Sequence, residues 1–156
     1  MYNMKNIEIE KKYLIKTMPD LTGCKSYFIK QAYISTDPVL RIRQKDDKYV
    51  FTFKGQGTLQ RQEIETQLTK QQFDNLLKKV EGNIIQKTRY IVPLCDGLKA
   101  ELDVYEGDLK GFKNVEVEFD TIEQANSFKP PSWFGEDITN NDKYTNAYLS
   151  KIKNIN

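Results

Sequence analysis

Histidine is absent from this chain of 156 residues. That removes the commonest general base, every Ser-His or Cys-His nucleophile pair and the usual zinc ligand sets. Cysteine is scarce: Cys24 and Cys95 stand far apart, match no metal-ligand spacing and supply no disulfide framework, so both read as ordinary thiols. No apolar run approaches the roughly 18 to 20 residues of a membrane span, and the first residues lack the apolar stretch of a signal peptide. A cytoplasmic protein without membrane contact is expected. An excess of one charge is missing too, since 24 basic and 22 acidic residues leave only +2. Such a balance produces no overall field for nucleic acid. Apolar residues make up 38% of the chain, below the usual ~45–50%, whereas 29% are charged. The chemistry must come from carboxylates, lysines, arginines, tyrosines or a hard metal ion.

What the chain does have is alternation. Eight segments read as strands: 7–14, 27–35, 39–45, 48–54, 59–68, 84–94, 98–105 and 112–119. Asp46-Asp47 and Asp96-Gly97 mark hairpin turns. Thr69 is placed to cap a helix in which Phe73, Leu76, Leu77 and Val80 recur at helical spacing. Thr121 caps a second helix that ends before Pro130-Pro131, and a third is expected over 145–152 after a loop rich in Asp and Asn. At this length one domain over 1–156 is expected, burying about two-thirds of its unfolded surface.

Six of the strands carry two like charges at positions i and i+2: Glu8 and Glu10, Arg41 and Arg43, Glu63 and Glu65, Lys87 and Arg89, Glu101 and Asp103, Glu116 and Glu118. Residues so spaced share one face of a strand, roughly 7 Å apart. On a single strand this is an ordinary solvent face. Repeated on six, with Lys12, Lys54 and Arg61 at the same parity, it favours an α+β fold: a closed eight-stranded antiparallel β-barrel with helices packed on the outside. The apolar faces then meet those helices and the charges line the bore. Tyr49, Phe51 and Phe53, opposite in parity to Lys54, belong on the outer wall. Trp133 packs a loop beside its prolines, and Tyr144 either packs the last helix or helps close the tunnel.

A bore lined by charge must be wet and filled with counter-charge, because an unpaired buried charge costs several kcal/mol. Lysine and arginine grip phosphate oxygens, while grouped carboxylates hold Mg2+ or Mn2+. A polyphosphate needs both at once. A metal can also acidify a bound water for attack on phosphorus without histidine.

With these residues collected, the chain resembles the CYTH superfamily, the triphosphate tunnel metalloenzymes. Glu8, Glu10 and Lys12 match the family's Glu-x-Glu-x-Lys signature, the later charged pairs follow in the family's order, and 142–146 resembles its closing motif. The resemblance implies Lys12, Arg41, Arg43, Lys54, Arg61, Lys87 and Arg89 as substrate contacts. It implies Glu8, Glu10, Asp103, Glu116 and Glu118 as ligands of Mg2+ or Mn2+, and Lys12, Glu63 and Glu65 as groups acting on water or the leaving phosphate. Glu101 could equally pair with a neighbouring arginine. The expected activity is hydrolysis of inorganic triphosphate, with weaker action on nucleoside triphosphates. An adenylate cyclase, a thiamine triphosphatase and a non-catalytic polyphosphate sensor are the alternatives, and a homodimer is left open.

Overall fold

The computed structural model describes residues 7–152. Nine strands form one antiparallel sheet: β1 (Ile7–Ile15), β2 (Lys25–Thr36), β3 (Val39–Lys45), β4 (Lys48–Lys54), β5 (Gln60–Leu68), β6 (Glu81–Pro93), β7 (Lys99–Glu106), β8 (Lys113–Glu118) and β9 (Phe134–Asp137). The order is β5-β4-β3-β2-β6-β7-β8-β1, and β5 also pairs with β1, which closes eight strands into a barrel. The closing strand is shared along its length. Residues Ile7 to Ile9 face β5, Glu10 to Leu14 face β8, and the edge left where β5 stops is taken by β9 from Tyr13 onward. That ninth strand lies in the stretch expected to be loop.

The parity expected from the sequence is the parity observed. Ile9, Tyr13, Leu102, Val115, Val117 and Phe119 form an outer-wall core with Ala125 and Phe134. Ala125 comes from α2 (Ile122–Ser127), whose N-terminus is capped by the Thr121 hydroxyl. A second outer core joins Ala32 and Ile42 to Phe73 of α1 (Lys70–Leu77), with Tyr49 and Phe51 beside it. Thr69 and Gln72 make a full capping box at the start of α1, which satisfies backbone donors a short helix would leave open. The third helix, α3 (Asn146–Leu149), is shorter than the expected 145–152.

The inward faces are not uniformly charged. Tyr33, Ile85 and Tyr105 meet Leu109 and Phe112, from and beside the β7–β8 connection, and Leu149 of α3. This apolar plug fills the barrel where β2 ends and β6 begins. The Asp96-Gly97 turn also differs from a two-residue hairpin. Both residues adopt positive φ as expected, but strand pairing stops at Pro93 and Lys99, leaving a five-residue link. Among the described residues no helix is long and apolar enough to cross a membrane.

Phe73 is the buried anchor of α1. Phe73→Ala should destabilise the fold by about 3 kcal/mol, read as a lower urea midpoint at unchanged slope; a midpoint equal to wild type would mean that α1 does not hold the outer wall.

Candidate active site

The barrel encloses a cavity of about 320 Å³. Its lining brings together Glu8, Glu10, Lys12, Arg41, Arg43, Lys54, Arg61, Glu63, Glu65, Arg89, Glu116 and Glu118. The strand order segregates them. β8, β1 and β5 are neighbours and form an acidic arc, while β4, β3, β2 and β6 form the facing basic arc. Lys12 and Arg61 are the cations set within the acidic arc.

On the acidic arc, Glu10 lies directly opposite Glu118 across β1–β8. Oxygens of Glu8, Glu10 and Glu118 all fall within 4.8 Å of one another. Such crowding is visible in the titration of these groups. Burial, and then the charges of Glu116 and Glu8, pushes the Glu10 carboxyl well above its usual range. Burial with Glu101, Glu8 and Glu116 raises Glu118 to about 7. Burial and a hydrogen bond with Glu8 raise Glu63 to about 8. Glu8 is the exception: burial opposes its ionisation, but the Glu63 hydrogen bond and the charge of Lys54, 2.9 Å away, hold it well below the usual range. Lys54 also stands 3.6 Å from Glu63. Among the described residues Lys54 is the cation within ion-pair distance of these four carboxylates, and it reaches only Glu8 and Glu63. A set made only of carboxylate oxygens suits a hard divalent cation, and Glu8, Glu10 and Glu118 are the residues that would hold it.

The basic arc has the opposite surplus. Arg43 donates from Nε to Gln31 Oε1 at 2.9 Å, and burial together with Arg41 and Arg89 lowers its pKa to about 10. Arg41 reaches Thr52 Oγ1 at 3.3 Å and comes within 3.9 Å of Glu65, yet its buried Nε has no partner. Glu116 lies 3.7 Å from Lys12 and 3.8 Å from Arg89; despite burial, those cations hold its carboxyl below the usual range. Lys12 Nζ donates to the Tyr144 carbonyl at 2.6 Å.

Several of the expected site residues are engaged by other groups of the protein. Asp103, expected among the metal ligands, is apart from the acidic trio: Arg89 donates to both of its oxygens, at 2.8 and 2.9 Å. Glu116, also expected as a ligand, is drawn between Lys12 and Arg89. Lys87, expected to touch substrate, is fully buried behind the lining, 2.7 Å from Asp103. The pairing open to Glu101 is resolved toward Arg89 Nη1. Gln31 and Asn114, both fully buried with unpartnered polar atoms, went unmarked because a single amide at an inward position carries no repeated signal. Thr139 is equally unsignalled, and binds the Lys12 backbone N–H at 3.1 Å. The Tyr144 ring stacks on Phe112 at 5.9 Å, and its carbonyl accepts from the tunnel lysine.

Residues 6–140 match the CYTH domain family. This chain belongs to the CYTH family. The CYTH protein is 42% identical over 146 residues to an inorganic triphosphatase of Nitrosomonas europaea, covering 92% of this chain and 96% of that one. It is 30% identical over 148 residues to an inorganic triphosphatase of Acetivibrio thermocellus, covering 92% and 93%. A crystal structure of an inorganic triphosphatase matches with a TM-score of 0.69 at 38% identity, covering 96% of this chain and 95% of that chain.

A cation entering the acidic arc of this CYTH protein must displace protons from the carboxyls raised into the neutral range. Mg2+ added to the substrate-free protein at pH 7 should release at least about one proton, and its affinity should climb as pH rises through Glu118 and Glu63, up to ~10-fold per unit for each proton displaced. Calorimetry in two buffers of different ionisation enthalpy measures the release. Buffer-independent heats with a flat pH dependence would place the cation elsewhere.

Proposed function

We propose that this CYTH protein is a metal-dependent hydrolase that cleaves inorganic triphosphate to pyrophosphate and phosphate, using Mg2+ or Mn2+. The observation that carries the reading is the pair of facing, opposite charge surpluses in one cavity, the acidic trio across from Arg41 and Arg43. A cation bound to a linear triphosphate neutralises both. The names of the two curated relatives support the same reading.

When bound, the metal would neutralise phosphate charge and acidify a water. The remaining work falls to the side chains. Arg43 and Arg41, which both line the cavity, bind phosphate oxygens, and Lys54 spans the boundary between the arcs through its contacts with Glu8 and Glu63. Arg61 lines the cavity without a carboxylate partner among the described residues, so its guanidinium is free for an anion. Lys12, aimed by the Tyr144 carbonyl and Glu116, is placed to stabilise the leaving phosphate. Glu63 and Glu65 flank the cavity as the groups that orient the attacking water, and Glu63 keeps its proton in its hydrogen bond to Glu8.

Recognition is confined to the phosphate chain. Among the described residues the aromatic members of the lining are Tyr33 and Tyr144. Tyr33 belongs to the apolar plug and Tyr144 is stacked on Phe112, which leaves neither ring as a platform for adenine or thiamine. Inorganic triphosphate is accordingly favoured over nucleoside and thiamine triphosphates, and hydrolysis over cyclisation.

Phosphate release from inorganic triphosphate, ATP and thiamine triphosphate, measured in parallel with Mg2+, Mn2+ or chelator, tests this. Release should be fastest from inorganic triphosphate and absent with chelator, and Glu10→Gln/Glu118→Gln should lower kcat at least ~100-fold if those carboxylates hold the metal. Cyclic AMP formed from ATP, or turnover that survives chelation, would overturn the assignment.

A further inference from the structure

One carboxylate stands within the footing of the basic arc. Asp103 is fully buried, and both of its oxygens are spent on cations. Oδ1 accepts from Arg89 Nε at 2.8 Å, Oδ2 accepts from Arg89 Nη2 at 2.9 Å, and Oδ2 lies 2.7 Å from Lys87 Nζ. Register explains the grouping. Arg89 faces Asp103 directly across β6–β7, and Lys87 is the next inward residue of β6. On the other side, across β7–β8, Asp103 faces Asn114, an amide rather than a second acid.

A guanidinium has five N–H groups. Asp103 takes two from Arg89, and Glu101 takes one from Nη1. Two remain, one on each terminal nitrogen, in a side chain that lines the cavity. Arg89 is thus gripped on separate sides with donors to spare. Without Asp103, the nearest anions for it to collapse upon are Glu101 and Glu116, the latter already 3.8 Å away.

We propose that Asp103 is a positioning residue for triphosphate binding: it fixes the Arg89 fork and holds Lys87 beneath the tunnel, and it neither coordinates the metal nor touches substrate. This rests on the triphosphatase reading above. Deleting a negative charge beside two cations would by itself tighten an anion. That gain is not realised, because burial already brings Lys87 down to about 7 against the pull of Asp103, so a lysine deprived of its partner discharges instead of adding positive charge. Lost orientation then decides the outcome, as preorganised donors contribute most to binding.

The test compares wild type, Asp103→Asn, Lys87→Met and the double variant, measuring KM and kcat for inorganic triphosphate and the affinity for Mn2+ alone. Asp103→Asn should raise KM about 10-fold or more with a smaller change in kcat, and leave Mn2+ affinity at the wild-type value. In the Lys87→Met background the same change should raise KM by a smaller factor, since one of the two groups it positions is gone. A drop in Mn2+ affinity, an unchanged KM, or losses that simply multiply would each overturn the proposal. If Asp103→Asn alone does not fold, the double variant, which removes both members of the buried pair, is compared with Lys87→Met, and equal KM values overturn it. Wild-type protein that fails to hydrolyse triphosphate would instead overturn the proposed function.

Discussion

Like charges cannot be gathered on one wall of a buried cavity unless something of opposite charge faces them, and this constraint governs the barrel. Glu10 opposite Glu118 and Glu101 opposite Glu116 are directly apposed carboxylates, an arrangement that destabilises a sheet. Each crowded group finds a different relief. Glu116 is pulled between Lys12 and Arg89, Glu8 takes Lys54 and a hydrogen bond from Glu63, and Glu10 and Glu118 are left with raised pKa values and, among the described residues, no cation within ion-pair distance. The unrelieved residue of that repulsion is the site.

The fold can carry this load because its stabilising packing lies elsewhere. The cores formed by Val115, Val117 and Leu102, and by Ile42 and Phe73, are on the outside of the strands. Each fully buried aliphatic or phenylalanine side chain there contributes about 1.5–3 kcal/mol. The apolar plug of Tyr33, Ile85 and Tyr105 adds a third region within the barrel, and Tyr105 passes its hydroxyl hydrogen bond to Asn146 at 2.9 Å. Segment 138–149 is thereby fastened from two directions, by that bond and by Lys12 against Tyr144, which is how residues outside the eight barrel strands come to line the tunnel.

Period-two alternation made most of this legible from the sequence. A strand side chain has only two directions, so Glu8, Glu10 and Lys12 had to share a face, and Arg41 and Arg43 had to share another. What spacing could not supply is the identity of the neighbour across the strand. Asp103 and Glu118 look alike in sequence, each an inward acid two residues from another. Register gives Asp103 an arginine and an amide, and gives Glu118 a glutamate, and their charge states diverge from there. The strand Phe134–Asp137 was hidden for a similar reason. Four residues carry too little alternation to stand out, and their pairing depends on the edge of β1 that β5 vacates.

The missing histidine acquires a physical meaning in this setting. Its usual role is to change charge near neutral pH, and a carboxyl can take that role if repulsion and burial move it far enough. Glu118 near 7 and Glu63 near 8 titrate in that range, and both do so because burial, and then the carboxyls around them, disfavour ionisation. A cation that relieves the crowding would also return these groups to their ordinary acidity. Proton inventory and metal occupancy are therefore one equilibrium in this tunnel, carried by carboxyls alone.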